Sequence, residues 1–235
     1  MSVARDLVWD GCSNVRDLGG HAFGDGDATR FGAVVRSDSR AHLTDAGWEA
    51  LLAYGVSRIV DLRRDDELAD DPPRAADVEV VHVSLMAGIE PGDAGWAAMV
   101  AEAEAAPDAL GEHVVFYDWA LERCAPTIVR ALTAVASAPP GAVVVHCVGG
   151  KDRTGLVAAL LLRLCGVSLE DVDADYALTE TRLRPTLGEA ATAPAGAMAI
   201  VLDRVEQRHG SIEEYLVASG LAPEAIEALR ARLCG

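Results

Sequence analysis

One short stretch, a strand joined to a helix by a glycine-rich turn, constrains the fold of this chain more than any other feature. Ala142–His146 is an apolar, β-branched run that predicts a buried strand. Thr154–Cys165 is apolar nearly all round, which predicts a buried helix. Only residues 147–153 lie between them, and these include Gly149 and Gly150. A strand and a helix joined by so tight a turn must pack in one core, so we expect an α/β unit here.

The rest of the chain alternates between strand and helix patterns, which predicts an α/β fold with a mainly parallel central sheet and a helical C-terminal third. Thr44 and Ser168 are predicted helix N-caps, and Pro126 should begin or kink a helix. The predicted strands are Gly32–Arg36, Arg58–Leu62, Val78–Ser84 and Ala142–His146, and further predicted helices are Thr44–Tyr54, Glu112–Ser137, Ala197–Arg208, Ser211–Ser219 and Pro223–Leu233.

The length of 235 residues suits one domain with a full core, and we expect a single domain over 1–235. The Pro- or Gly-containing stretches 70–73 and 88–95 are predicted to be loops within it. No apolar stretch approaches the roughly 18–20 residues of a membrane span. Residues 1–20 also lack the apolar run of a signal peptide. We therefore expect a cytoplasmic protein with no integral membrane segment; secretion without a classical signal peptide is the alternative.

The net charge is −17, from 37 acidic and 20 basic residues, of which Lys151 is the only lysine. So negative a surface repels nucleic acid and anionic lipid, so we expect no nucleic-acid partner. It suits an enzyme whose anionic ligand is held by a local positive pocket. No pattern in the sequence indicates an oligomeric state.

The five cysteines are odd in number and none forms a CxxC pair, which predicts neither a disulfide framework nor a zinc site. We expect no metal and no cofactor, and a reducing compartment that preserves a reactive thiol. Cys147 differs from the other cysteines because it opens the glycine-rich turn. The others are interpreted as inert thiols: Cys12, Cys124, Cys165 and Cys234.

The turn 147–153 has the residues of an anion-binding loop. Backbone N–H groups at a helix N-terminus bind anions, and Gly149 and Gly150 allow the backbone angles that turn those groups inward. Cys147 would be a thiolate that attacks phosphorus. Arg153, separated from it by five residues, has the planar guanidinium that grips two phosphate oxygens. The loop therefore predicts phosphoryl transfer from a phosphate monoester.

The remaining loop residues have supporting roles in this interpretation. Val148, Gly149, Gly150 and Lys151 would bind the substrate phosphate, with Lys151 adding positive charge beside it or beside a second anionic group; the alternative is a solvated loop lysine. Thr154 would hydrogen-bond the cysteine sulfur, and His146 would orient the loop through backbone bonds.

His146–Gly155 reads HCVGGKDRTG and is similar to the signature loop of protein tyrosine phosphatases. More narrowly, it resembles the bacterial tyrosine and lipid phosphatase subfamily whose loop has Lys and Asp just before the Arg. The resemblance implies a tyrosine phosphatase-like fold, a mostly parallel sheet of about four to five strands flanked by helices, and a metal-independent mechanism through a phosphocysteine. It covers nearly the whole chain, since Asn14–Gly20, Val35–Asp38, Ile59–Arg63, Asp175-Tyr176 and Tyr215–Leu233 also resemble blocks of that subfamily.

The leaving oxygen needs a general acid within hydrogen-bond reach. We predict Asp152, because it precedes Arg153 in the loop and related phosphatases with an Asp there are thought to use it this way; the alternative is that it pairs with an arginine or holds the loop. Asp61 at a predicted strand end is the second candidate, with a structural hydrogen bond as its alternative. Asp118, on a predicted helix, is the third. The Trp-Pro-Asp acid loop of many tyrosine phosphatases is absent from the sequence.

Two further features near the predicted site each have two interpretations. Arg36 and Arg63 lie near predicted strand ends, where they would either face the pocket or form internal salt bridges. Residues 95–105 are amphipathic, with Trp96 and Met99 on one side. This segment would either belong to a helical lid around 94–137 or form an ordinary helix packed on the core.

The sequence thus predicts a cysteine-dependent phosphomonoesterase. The resemblance implies phosphotyrosine and/or phosphoinositide substrates, with dual specificity. The acidic surface without a basic patch favours the alternative, a metabolic phosphatase for a small nucleoside or sugar phosphate. The third hypothesis, an inactive phosphate-binding scaffold, is disfavoured by the intact Cys147, Asp152, Arg153 and Thr154.

Overall fold

The computed structural model describes residues 5–24, 26–68, 78–89 and 92–235 and has a five-stranded sheet at its centre. The strands are β1 (Arg16–Asp17), β2 (Ala22–Phe23), β3 (Asp27–Ala28), β4 (Val34–Ser37), β5 (Val56–Asp61), β6 (Glu79–His82) and β7 (Ala142–His146). The sheet order is β1-β4-β7-β5-β6, and only the pairing of β1 with β4 is antiparallel. Strands β2 and β3 form a separate antiparallel pair. The prediction of a mostly parallel α/β sheet is confirmed.

The central strand β7 determines where the chemistry lies. Its last residue, His146, is level with Ser37 at the end of β4 and with Asp61 at the end of β5. Parallel strands bring their carboxyl ends to one edge of the sheet, and ligands of such sheets bind beyond that edge. Cys147 therefore leaves the sheet between two neighbouring strand ends.

Each of the four predicted strand segments overlaps a strand, with ends that differ by at most two residues. Strand β6 is shorter than the predicted segment Val78–Ser84, and β4 lies slightly later in the chain than the predicted segment Gly32–Arg36. Strand β1 was not predicted, because it is only two residues long and has no apolar run. The predicted loop 70–73 lies outside the described residues, and the end of the predicted loop 88–95 belongs to a helix.

The helices are α1 (Asp45–Ala53), α2 (Ala94–Glu104), α3 (Ala109–Arg123), α4 (Ala125–Ala136), α5 (Asp152–Leu164), α6 (Leu169–Leu187), α7 (Ala197–His209), α8 (Ile212–Ala218) and α9 (Pro223–Leu233). Short 3₁₀ turns span Arg40–His42, Asp65–Leu68 and Gly188–Ala191. One apolar cluster lies on the α1 side of the sheet, and a larger one, which contains the α5 side chains, lies on the other side. The helical C-terminal third is confirmed.

Local signals placed several helix ends correctly. Thr44 Oγ1 accepts a hydrogen bond from the Gly47 N–H at 3.2 Å, and Ser168 Oγ accepts one from the Asp171 N–H at 3.0 Å. Pro126 lies in the first turn of α4, after a break at Cys124. A proline is tolerated there because the first turn has no intrahelical acceptor for its missing N–H.

Helix α5 is buried almost all round, as its sequence predicts. Leu156, Leu160 and Leu162 are at most 1% exposed. The helix contacts β4 and β7 on one side and α4, α6, α7, α8 and α9 on the others. Truncation of one such leucine to alanine costs about 2–5 kcal/mol of folding free energy. The helix that follows the predicted anion loop is thus held rigidly. No helix among the described residues is long and apolar enough to cross a membrane.

The structure corrects the interpretation of two cysteines. Cys165 follows α5 and Cys234 follows α9, and the two form a disulfide across a sequence separation of 69 residues. The sequence prediction failed because it relied on spacing, and the two residues meet only when α9 packs beside α5. Cys12, Cys124 and Cys147 are free thiols.

We expect Cys234→Ser to lower the free energy of unfolding in oxidising buffer. A cross-link that closes a loop of about 70 residues restricts the unfolded chain and contributes about 2–4 kcal/mol. Urea unfolding of the wild type and the variant measures this difference. Addition of a reductant to both is the control and should make the two curves converge. Equal stability in oxidising buffer would contradict the prediction.

Candidate active site

The predicted anion loop occupies the gap between β7 and α5. Cys147 comes directly after β7 and is 3% exposed. Gly150 has a φ of +65°, and a Cβ at this position would lie 2.4 Å from the Ser37 carbonyl oxygen. Only glycine permits this backbone angle and this close approach. The loop therefore curls tightly over the end of β4 and meets the N-terminus of α5 at Asp152.

A buried asparagine holds the outer side of the loop. The Asn14 side-chain amide donates to the carbonyl oxygens of Gly149 and Gly150, at 3.0 and 3.1 Å. The Ser39 N–H donates to the Val148 carbonyl at 2.8 Å. Because these carbonyl oxygens are bound by neighbouring residues, the loop backbone is held in its curled form. Asn14 lies in the segment Asn14–Gly20 that resembles a block of the subfamily, but the sequence pattern predicts no role for it.

A buried ion cluster lies beneath the loop. Asp175 on α6 accepts from Arg16 Nε at 2.9 Å and from Arg36 Nη1 at 2.7 Å, and all three side chains are at most 1% exposed. Arg36 Nη2 also donates to the Gly150 carbonyl at 2.8 Å. Burial alone would raise the pKa of Asp175, but the two guanidinium groups hold it well below its usual range. Arg36 thus forms the internal salt bridge, and it supports the loop from below rather than facing a pocket.

A second buried cluster, at the ends of β5 and β7, contains Asp61. Asp61 is 1% exposed, accepts from Arg63 Nη2 at 2.7 Å and lies 3.4 Å from His146 Nε2. Burial would raise its pKa, but His146 and Arg63 lower it far below its usual range. A carboxylate held ionised in this way favours the structural hydrogen bond over the role of a general acid. Arg63 forms an internal salt bridge in the same way.

His146 makes a hydrogen bond to the backbone at the start of the loop. Its Nδ1 donates to the Cys147 carbonyl at 3.0 Å, and the ring is fully buried. The third acid candidate, Asp118, pairs instead with Arg204 and Arg208 on α7, at the surface.

The guanidinium of Arg153 is clamped by a residue that the sequence analysis missed. Glu67, in the 3₁₀ turn Asp65–Leu68, accepts from Arg153 Nη1 at 2.5 Å and from Nη2 at 3.0 Å. Burial by itself lowers the pKa of Arg153, but the Glu67 carboxylate and Cys147 raise it above its ordinary value. This two-point contact fixes the guanidinium plane. The only sequence signal was an acidic residue shortly after the family-like block that ends at Arg63.

The side chains of Asp152 and Lys151 make hydrogen bonds that the sequence does not predict. Asp152 Oδ1 accepts from Tyr117 Oη at 2.7 Å, and its side chain is 34% exposed. Lys151 Nζ donates to the carbonyls of Ala190 and Thr192, both at 3.2 Å, and lies 3.8 Å from Asp152 Oδ1. The lysine therefore ties the turn Gly188–Ala191 to the loop and is not a solvated side chain.

The predicted hydrogen bond of Thr154 is not observed. Thr154 is fully buried in the first turn of α5, and its Oγ1 has no hydrogen-bond partner among the residues that the structure describes. The apolar rim of the loop was also not predicted. Val148 and Leu187 are 41% and 47% exposed, and a Cβ at Gly149 would lie 4.0 Å from Leu187 Cδ1.

No group of three or more His, Cys, Asp or Glu side chains is arranged to hold a metal ion within the described parts of the chain. What the loop can do chemically is bind a tetrahedral anion beside a thiol, a clamped guanidinium and a half-exposed carboxyl group.

Comparisons with known proteins agree with this geometry. The family model described as "Tyrosine phosphatase family" matches residues 7–235. The chain is similar to a tyrosine-protein phosphatase of Nostoc commune, with 32% identity over 226 residues that cover 86% of this chain and 74% of the relative. It is also similar to the triple specificity protein phosphatase PtpB of Mycobacterium tuberculosis, with 26% identity over 275 aligned positions that cover 96% of this chain and 98% of the relative.

We expect the free energy of unfolding to fall as the pH drops below about 4, near the unperturbed pKa of a carboxyl group. Asp61 and Asp175 have depressed pKa values in the folded state. Below that pH the unfolded chain binds protons at these carboxyls that the folded chain does not bind. Their stabilisation is therefore present above the unfolded pKa and is lost as the pH falls.

Urea unfolding at a series of acid pH values measures this effect. Asp61→Asn removes one of the two sites, so its stability should fall less steeply with acid, by up to about 1.4 kcal/mol per pH unit. Asp118→Asn, which removes a surface carboxylate, is the matched control. A slope for Asp61→Asn as steep as that of the wild type would refute this origin of the pH dependence.

Proposed function

Since this chain belongs to the tyrosine phosphatase family, we propose that its phosphatase activity uses Cys147 as the nucleophile and passes through a phosphocysteine intermediate. The observation that carries the proposal is the held loop. Asn14 and Arg36 bind carbonyls on its outer side, so its N–H groups and the N-terminus of α5 are available to the phosphate. A scaffold that only binds phosphate would have no need of a thiol at the loop start or of a clamped arginine.

In the first step, the Cys147 thiolate attacks phosphorus as the bond from phosphorus to the ester oxygen breaks. Arg153 and the loop N–H groups bind the equatorial oxygens, where negative charge is spread in the transition state. Asp152 gives its proton to the departing oxygen, which leaves as an alcohol or phenol.

In the second step, water attacks the phosphocysteine. Asp152, now a carboxylate, takes a proton from that water, and the phosphorus–sulfur bond breaks. Inorganic phosphate and the Cys147 thiolate are the products, so the enzyme returns to its starting state. The two steps need no metal, because Arg153 and the backbone supply the positive potential.

We place phosphotyrosine and/or phosphoinositide first among the substrates. The apolar rim of Val148 and Leu187 favours an ester with an aromatic or apolar part. The names of the relatives, a tyrosine-protein phosphatase and a triple specificity phosphatase, support the same class. A small nucleoside or sugar phosphate is the second candidate, favoured by the net charge of −17, which repels anionic lipid surfaces.

We further propose that residues 1–235 act as one phosphatase domain, with α2 as the moving part of a lid over 94–137. Met99 is the only buried residue of α2, whereas α3 and α4 each supply several residues to the core. Elements with few buried contacts open at the lowest cost in free energy.

Substitution Cys147→Ser tests the covalent mechanism. We expect turnover to fall about a thousandfold or more while phosphate-ester binding persists, because the serine hydroxyl is protonated at neutral pH. Turnover is measured on a panel of phosphate esters with EDTA throughout. The panel contains phosphotyrosine and phosphoserine peptides, soluble phosphoinositides, nucleoside monophosphates and sugar phosphates. The matched control is Cys124→Ser, at a buried free thiol whose pKa is raised to about 11 by burial.

The outcomes of this panel separate the proposals. Retained turnover in Cys147→Ser would refute the phosphocysteine. A lead in kcat/KM of about tenfold for phosphotyrosine or phosphoinositide, equal to about 1.4 kcal/mol of transition-state preference, would support the first substrate class. A lead for nucleotides or sugar phosphates would instead establish a metabolic phosphatase.

Substitution Glu67→Gln tests the clamp on Arg153. We expect kcat/KM to fall by about tenfold, because one charge-assisted hydrogen bond is lost and the guanidinium plane is freed. Asp66→Asn is the matched control. Asp66 lies in the same 3₁₀ turn as Glu67, but it is 65% exposed and pairs with Arg64. If both variants keep wild-type kinetics, Arg153 does not depend on the clamp.

A further inference from the structure

Two buried tyrosines connect Asp152 to the interior. Tyr117 on α3 donates to Asp152 Oδ1 at 2.7 Å, and the hydroxyls of Tyr117 and Tyr176 are 2.6 Å apart. Tyr117 is 0% exposed and Tyr176, on α6, is 1% exposed. The rings meet edge to face with centroids 5.7 Å apart. Three helices thus converge on one carboxyl group of the loop.

The direction of these hydrogen bonds follows from the chemistry of the groups. An ionised carboxylate only accepts, so the single hydroxyl hydrogen of Tyr117 points to Asp152, and Tyr176 donates to Tyr117 Oη. Burial, with the nearby Asp152 charge, raises the pKa of Tyr117 well above its ordinary value. Tyr117 therefore remains a protonated donor whether Asp152 is ionised or protonated.

The contacts of Asp152 distinguish its two oxygens. Oδ1 accepts from Tyr117 and is also the oxygen closest to Lys151 Nζ, at 3.8 Å. No hydrogen bond to Oδ2 is made by the part of the chain that the structure describes. The side chain is 34% exposed, although Tyr117 beneath it is fully buried. Oδ1 is thus anchored in the interior, whereas Oδ2 makes no hydrogen bond to the described residues on a side chain that is partly exposed.

We propose that Tyr117 is a positioning residue for proton transfer: it anchors Oδ1 of Asp152 so that the proton is carried on Oδ2, facing the leaving group. This inference rests on the proposed function, in which Asp152 is the general acid. In the first step the Oδ2–H bond breaks and the proton passes to the leaving oxygen. In the second step Oδ2 receives a proton from the attacking water. Tyr117 gives up no proton in either step.

The anchoring restricts rotation of the Asp152 side chain, which proton transfer requires. Asp152 is the first residue of α5, and its side chain would otherwise rotate freely at the helix end. Proton transfer requires the acid to lie within hydrogen-bond reach of the leaving oxygen. A freely rotating carboxyl group would therefore transfer its proton more slowly. A buried tyrosine with two partners is rigid, and Tyr176 keeps its hydroxyl from turning away.

The test compares two aryl phosphates that differ in their need for an acid. Phenyl phosphate releases a poor leaving group that requires protonation, whereas p-nitrophenyl phosphate does not. The measured quantity is kcat/KM, because it reports formation of the phosphocysteine. We expect Tyr117→Phe to lower it about tenfold for phenyl phosphate and less than about twofold for p-nitrophenyl phosphate. We expect Tyr176→Phe to give a smaller loss with the same selectivity.

The matched control is Tyr215→Phe. Tyr215 is also buried, and its hydroxyl donates to the Leu121 carbonyl on the same helix α3, at 2.6 Å. Removal of this hydroxyl should change kcat/KM by the same factor for both substrates. Thermal unfolding of every variant separates the loss of a fold contact from the loss of positioning, because a purely structural role would lower stability without any selectivity between substrates.

Asp152→Asn distinguishes failure of this inference from failure of the proposed function. If Asp152→Asn and Tyr117→Phe each lower kcat/KM selectively for phenyl phosphate, and Tyr117→Phe adds no further loss in the Asp152→Asn background, the inference stands; a Tyr117→Phe variant with wild-type kinetics overturns it. If Asp152→Asn is selective but Tyr117→Phe and Tyr176→Phe lower both substrates equally, the positioning role is overturned and the acid remains. If Asp152→Asn itself shows no selectivity, the acid assignment is wrong and the positioning role is overturned with it.

Discussion

The carboxylate of Asp175 is the contact on which the geometry of the loop depends. It binds Arg16 and Arg36 together, and each guanidinium then reaches onward: Arg36 to the Gly150 carbonyl and Arg16 to the Asn14 amide oxygen. Asn14 holds the same stretch of the loop. Removal of one partner from such a buried cluster costs about 3–5 kcal/mol, because it leaves an unpaired charge without water. The loop is therefore built into the core rather than laid on the surface.

This arrangement also reconciles an acidic protein with an anionic ligand. The chain carries a net charge of −17, yet the cluster of Arg16, Arg36 and Asp175 has one more positive than negative charge. Arg153 is balanced by Glu67 in the absence of ligand. In the proposed mechanism, the attraction for a phosphate comes from the N-terminus of α5, the loop N–H groups and the buried excess charge, together with Arg153. These sources act over a short range, which suits a ligand that is recognised by its phosphate.

The part of the site that could be predicted is local in the sequence. The loop, its strand and its helix were all recognised because glycine conformation, the Cys–Arg spacing and apolar patterning act within about twenty residues. The same reasoning ranked Asp152 before Asp61 as the proposed acid, but it could not show how either side chain is buried. Burial supports that ranking: Asp61 is enclosed with Arg63 and His146, whereas the side chain of Asp152 is 34% exposed. Cys165 and Cys234 were misinterpreted for a similar reason, because only helix packing brings them together.

The sequence by itself determined the α/β architecture, most helix ends and the residues of the loop, because periodicity and capping are properties of neighbouring residues. Tertiary structure alone decided which distant side chains serve that loop. Glu67 clamps Arg153 across 86 positions, Asn14 reaches Gly150 across 136, and Tyr117 meets Asp152 across 35. The formation of each pair depends on how the elements pack and on which atoms lose their water, and no local pattern encodes either.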